Sequence, residues 1–191
     1  MSDGWGRSPD AGEAMRFLEG PRTRRFELRL ALGIFTELIR GFRALHFVGP
    51  CVTVFGSARF KEDHPNAHLD RWITFRHFFV RKVMLVKYAY AFVALPGGFG
   101  TLDETFETAT LIQTRKIQNF PLILVGREFW RPLTDFLHGP LEQLDLIDPR
   151  DAARLRVTDS APEAVAAVGV LAIPPFGLRY RAPRRRWLLN E

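Results

Sequence analysis

A single cysteine in 191 residues, Cys51, excludes an internal disulfide. Standing at the head of an apolar run, it reads as a small packed residue rather than a reactive thiol. Lysine is nearly as scarce: Lys61, Lys82, Lys87 and Lys116 are the only four, so the formal net charge of +6 is almost entirely arginine. No apolar run approaches the roughly 20 residues that a membrane helix needs, so no membrane association is expected. The opening stretch, MSDGWGRSPDAGEA, lacks a basic segment followed by an apolar one. No secretory signal is therefore read there, and the expected compartment is the cytoplasm. His46, His64, His68, His77 and His138 show no ligand spacing backed by neighbouring Cys, Asp or Glu clusters, so neither a metal nor a cofactor is expected. There are no internal repeats.

What is present fits an ordinary globular chain, 47% hydrophobic and 25% charged, of a length that one hydrophobic core can organise. Residues 1–15, rich in Gly, Ser, Pro and Asp, read as a mobile leader, 16–173 as a single domain and 174–191 as a basic irregular tail. Arginine clusters at 22–25 and 179–186 could meet acidic surfaces. They lack an interleaved aromatic platform or a recognition motif, so they read as solvated ends and no nucleic-acid partner is expected.

Between these ends the hydrophobic period alternates. Leu28, Leu32, Phe35, Leu38, Ile39 and Phe42 recur at three- and four-residue spacing, predicting a helix over 27–47 with those residues on one face. Gly49-Pro50 stops it, and CVTVF at 51–55 is a short β-branched run ending in Gly56-Ser57-Ala58, the pattern of a buried strand and a tight turn. A polar stretch follows at 61–71. A helix is then predicted over 75–90, a strand at 91–95 (AFVAL), a helix over 101–116 and a strand at 121–125 (PLILV). A short helix at 128–137 is interrupted by Pro132. An edge strand at 155–158 and a small-residue helix at 162–170 complete the pattern. Strands alternating with helices indicate an α/β fold built on a parallel sheet.

In such a sheet, ligands bind outside the carboxyl ends of the strands, which puts the loops 56–59 and 96–104 on one edge. PGGFGT at 96–101 removes side-chain obstruction, aims backbone N–H groups at a common point and adds the Thr101 hydroxyl at a helix N-terminus, where an anion is stabilised. The same glycines could merely bend a strand into a helix. Asp103 and Glu104 could merely complement the helix dipole. A carboxylate aimed into a phosphate cradle would repel its guest, so Glu104 could also serve a neighbouring centre. Arg81, beside Lys82 on the helix leading into the AFVAL strand, is either a solvated cation or a fork for Glu104 or a substrate oxygen.

The segment VRKVMLVKYAYAFVALPGGFGTLDE joins an Arg-Lys pair to PGGxGTxxE across one strand, and in this it resembles the signature of the LOG family of phosphoribohydrolases, many of which carry a lysine-decarboxylase label. The likeness takes in most of residues 17–170. It implies a Rossmann-like fold and cleavage of the N-glycosidic bond of a nucleoside 5′-monophosphate, best known for cytokinin riboside monophosphates, to free base and ribose 5-phosphate. Carried onto this chain, it implies that Gly97, Gly98, Gly100 and Thr101 hold the 5′-phosphate, with Gly56 and Ser57 on the adjoining loop. Arg81 and Glu104 would be the catalytic pair, in a homodimer with sites near the subunit interface and the aromatic surface at 75–79 contributing to the contact.

The pattern also breaks. Family members follow the GSAR loop with a helix, a second strand and a glycine-rich turn opening another helix. Here only residues 60–71 stand between Arg59 and Trp72. Roughly fifty family residues are missing, and a sheet truncated relative to the family is expected, with apolar faces and edges left for something else to cover. A nucleotide- or phosphate-binding protein without turnover is the alternative to the hydrolase, and a molybdenum-cofactor carrier is a more distant one. A pyridoxal-phosphate decarboxylase finds no recognisable lysine setting.

Overall fold

The computed structural model describes residues 20, 23–46, 48–57, 73–118 and 120–179. The leader at 1–15, Arg59 of the first loop, the polar stretch 61–71 with its missing segment, and the arginines beyond 179 lie outside the described residues. The chain divides into two compact units, one of Met1–Phe47 with Phe60–Lys87 and one of Val48–Arg59 with Tyr88–Glu191.

The first unit contains α1 (Arg24–Leu45) and α2, which spans Phe78–Tyr88 and passes directly into the sheet. The helix foreseen at 27–47 is there, but its faces are not arranged as the apolar spacing suggests. Leu28, Leu32, Phe35 and Ile39 form an exposed stripe, while Leu30, Glu37 and Gly41 are buried. The reason is close packing around Gly41. A side chain there would come within 2.9 Å of Met84 Cε and 3.1 Å of Phe75, so only the glycine face admits its neighbours.

The second unit is an α/β Rossmann-like layer: a four-stranded parallel sheet, in chain order, flanked by helices. Its strands are β1 (Cys51–Phe55), β2 (Ala89–Ala94), β3 (Leu122–Val125) and β4 (Leu155–Thr158). Its helices are α3 (Phe99–Gln113), α4 (Arg127–Phe136), α5 (Pro149–Ala152), α6 (Ala161–Leu171) and α7 (Ile173–Phe176). Several of these depart from the sequence reading, which had no helix at Pro149–Ala152. α3 stops at Gln113, before Arg115 and Lys116, with Arg115 in the left-handed region (φ 57°). The chain just past 173, read as irregular, forms the short α7. α4 keeps Pro132 inside it and runs into a wide turn at Leu137–Leu141.

The central strands β2 and β3 are almost continuously apolar because both faces are covered, as parallel strands require. Val93 and Ile123 pack with Ala164 of α6 on one face, while Ala94 and Leu124 pack with Trp130 of α4 on the other. Phe92 stacks on Phe55 with ring centroids 5.2 Å apart and meets Phe120 at 4.8 Å. Among the described residues β1 is an edge. Its Thr53 and Phe55 are buried, but Val52 and Val54 stand 43% and 59% exposed.

Trp130 anchors α4 by donating its indole N–H to Val125 O at 3.1 Å. Trp130→Phe removes this bond and part of a buried ring, and is expected to cost about 1–3 kcal/mol. The check is chemical denaturation, where the midpoint falls and the slope stays constant.

Candidate functional site

The two loops that the sequence places on one edge do meet there. Where β1 ends, Leu95 donates its N–H to Phe55 O (2.8 Å), and Ser57 donates its own to Pro96 O (3.3 Å). Gly56 lies against Leu95, to which a Cβ would come within 3.3 Å. Beyond β3, Gly126 adopts φ 99° and donates its N–H to Thr158 O at 2.8 Å, tying the carboxyl end of β3 to that of β4. Asp159 accepts the Arg127 N–H (2.9 Å) and Nε–H (3.2 Å). The backbone donor first, and then the guanidinium, hold its carboxyl below the usual carboxylate range.

The glycine turn itself has two kinds of glycine. Gly97 is required by the fold: a Cβ there would sit 2.0 Å from Thr101 Oγ1 and 2.7 Å from its Cβ. Gly98 and Gly100 are not. Neither has positive φ, and a Cβ at either would meet nothing within 4 Å. Gly98 is the N-cap of α3 and offers no side chain to its first N–H groups, while its carbonyl accepts from Thr101 (3.0 Å) and Leu102 (3.1 Å). The helix therefore opens with a bare backbone surface, positive by its dipole and accessible from outside.

Behind this surface, α3 buries Thr101, Glu104, Thr105, Thr108 and Ile112, a stripe at helical spacing. Thr105 Oγ1 donates to Thr101 O at 2.7 Å. Asp103 and Glu104 thus part company: Asp103 is solvent-exposed, whereas Glu104 is only 5% exposed. A carboxylate serving only the helix dipole gains nothing from burial, which costs it solvation.

Gly56, Ser57, Gly97, Gly98, Gly100, Thr101 and Glu104 all belong to the second unit, and Arg81 to the first. Arg81 is exposed on α2, with its guanidinium 4.6 Å from the Phe78 ring centroid, and Lys82 Nζ lies 5.3 Å from the same ring. Such stacking limits the directions a guanidinium samples. Phe78 and Phe79 are both exposed, in the aromatic stretch read as a contact surface.

Other reactive groups are accounted for structurally. Cys51 donates its thiol to Gly49 O at 2.9 Å, and partial burial pushes the thiol pKa up, away from a nucleophilic thiolate. Among the described residues no three His, Cys, Asp or Glu side chains converge to hold a metal ion. No described helix is long and apolar enough to cross a membrane.

Sequence reasoning missed one polar constellation altogether, the buried pair of Glu37 and His77 (Oε2 to Nδ1, 2.5 Å). The available signal was an acid seven residues after Leu30 and four before Gly41, at core-facing helical spacing. It was hidden by the more apolar stripe on the opposite face.

Residues 42–168 match the family described as "Possible lysine decarboxylase". A cytokinin riboside 5′-monophosphate phosphoribohydrolase of Rhodococcoides fascians is 34% identical over 90 residues, 46% of this chain and 44% of that protein. The chain thus matches less than half the length of this curated relative. The family match runs from the end of α1 through α6 and takes in both loops of the carboxyl edge, the Arg81-Lys82 pair and Glu104. The chain therefore belongs to the possible lysine decarboxylase family, the LOG family that its PGGxGTxxE signature resembles.

Proposed function

We propose that this protein hydrolyses the N-glycosidic bond of a nucleoside 5′-monophosphate, of cytokinin riboside or AMP type, releasing the free base and ribose 5-phosphate. The observation that carries this reading is the pairing, within about one helical turn, of glycines the fold does not need with a carboxylate drawn into the buried face. The 5′-phosphate sits on the N–H groups at Gly97, Gly98 and Gly100 with the Thr101 hydroxyl, and Gly56 and Ser57 line the neighbouring loop. This remote binding holds the ribose for reaction.

As the bond from C1′ to the base nitrogen breaks, its electron pair leaves with the base, C1′ gains oxocarbenium character and a water oxygen bonds to it, and the proton that the water loses goes to the departing base. Glu104 stabilises that positive charge and orients the water, and the family resemblance makes Arg81 the other member of the catalytic pair. The name of the partial relative supports this choice of substrate class.

The uncovered Val52 and Val54 favour a second reading, in which the site binds a nucleotide or phosphate without turnover because a wall of the family site is absent. Incubating the purified chain with AMP and with a cytokinin riboside 5′-monophosphate, and following base by chromatography, decides between them. Base release supports the hydrolase. Saturable nucleotide binding with no release over hours supports the second reading.

A homodimer belongs to the same proposal, supported by the exposed stripe Leu28, Leu32, Phe35 and Ile39 on α1. Light scattering is expected to give twice the mass of the 21.9 kDa chain, and Leu32→Glu with Phe35→Glu to return it to monomer mass. A wild-type monomer at micromolar concentration would remove this part of the reading.

A further inference from the structure

The buried Glu37 of α1 is used by none of the chemistry above, and its position is costly, since a carboxylate in the interior gives up its water. Its partners lie about forty residues downstream at the entrance to α2. Oε1 accepts the backbone N–H of Arg76, and Oε2 accepts the N–H of His77 at 3.3 Å and meets His77 Nδ1 at 2.5 Å. No Ser, Thr, Asp or Asn stands at residues 75–77 to cap α2 locally. The orphan donors of that helix entrance are thus served by an acid from another helix.

His77 passes the constraint on. Its carbonyl accepts the N–H groups of Val80 (3.1 Å) and Arg81 (3.3 Å). Phe78, the next residue, is the ring on which the Arg81 guanidinium rests. One turn further, Met84 packs on Gly41 of α1. The entrance of the helix that carries Arg81 is therefore tied to α1 through Glu37 and His77.

We propose that Glu37, acting through His77, is a positioning residue that fixes Arg81 for the glycosidic reaction; this rests on the role given to Arg81 under Proposed function. A rotation of the first turn of α2 by a fraction of a residue swings a guanidinium tip by more than 1 Å, and misplacement of that size costs on the order of a hundredfold in rate. Mere support of the fold would lower the amount of active protein without regard to Arg81.

The test is a double-substitution cycle on the full chain, with kcat and KM for a nucleoside 5′-monophosphate measured separately. Glu37→Gln is expected to lower kcat roughly ten- to hundredfold with KM changed less than about threefold. In an Arg81→Lys background, already mispositioned, the further loss is expected to be under about threefold. Amide exchange at Arg76 and His77 should rise, while β2 and β3 keep their protection. If Glu37→Gln does not fold, His77→Asn, which removes the imidazole with its contacts to Glu37 and to the Phe79 ring but leaves the backbone N–H groups in place, takes its place in the cycle.

Equal fractional losses in both backgrounds overturn the proposal and leave the hydrolase reading intact. An active wild type indifferent to Arg81→Lys overturns it by removing Arg81 from the reaction. A wild type that releases no base brings down the hydrolase reading first, and this proposal with it.

Discussion

Glu104→Gln is expected to cut base release from a nucleoside 5′-monophosphate by about a hundred- to ten-thousandfold, the range for loss of a positioned carboxylate. Glutamine keeps the size and the hydrogen-bonding reach of the side chain. What it removes is the negative charge, and charge is what an oxocarbenium-like centre calls for. The buried stripe that surrounds position 104, from Thr101 to Ile112, should accept the amide with little rearrangement. The melting temperature is therefore expected to move by no more than a few degrees, since about 1 kcal/mol shifts a domain of this size by roughly 2–4 °C. Affinity for ribose 5-phosphate, a product that no longer has a glycosidic bond, should hold within about threefold. Thermal shift with that sugar phosphate gives the binding arm, and chromatography of the base gives the rate. A glutamine variant retaining more than about a third of the wild-type kcat would take Glu104 out of the chemistry.

The glycines of the turn should separate into two classes under alanine substitution. Gly97→Ala drives a methyl to within 2.0 Å of Thr101 Oγ1. Thr101 is buried and β-branched, so it cannot swing aside, and the turn must open or the helix must shift. A loss of about 2–4 kcal/mol in stability is expected, with phosphate binding lost alongside it. Gly98→Ala and Gly100→Ala meet no neighbour and need no unusual backbone angle. Gly100→Ala should even stabilise α3, by up to about 1 kcal/mol, because alanine loses less conformational entropy in a helix. Yet both methyls project from the backbone surface where an anion would rest, so ribose 5-phosphate affinity should fall about tenfold or more in each. Stable variants that bind as the wild type does would mean that the turn accommodates a bend in the chain and not a guest.

The second unit was largely legible from the sequence. CVTVF, AFVAL and PLILV are strands because each is short, apolar and bounded by turn residues, and in AFVAL and PLILV burial on two faces leaves no polar alternation to confuse with a helix. The PGGFGT turn was legible for the same reason, since it stands where a buried run gives way to a helix. The faces of α1 were not legible. Its apolar stripe is the more conspicuous one, but Gly41, with no side chain at all, decides which side can approach Phe75 and Met84. Hydrophobic spacing weighs what a residue adds and is blind to the room that a missing side chain makes. Nor could spacing divide Asp103 from Glu104, adjacent acids on one helix. Their difference comes from the packing of α3 against its surroundings, which is tertiary.

The reach of Glu37 to His77 has an entropic side. It closes a loop of about forty residues, and β1 lies inside that loop. The pairing of β1 with β2 closes another loop of about forty residues that overlaps the first. Whichever closure forms earlier shortens the free chain left for the other, so a carboxylate in one unit and a strand pairing in the other lower each other's cost of ordering. Local opening of β1 should therefore loosen the entrance of α2, and cutting the chain just after α1 would leave that entrance without its acceptor.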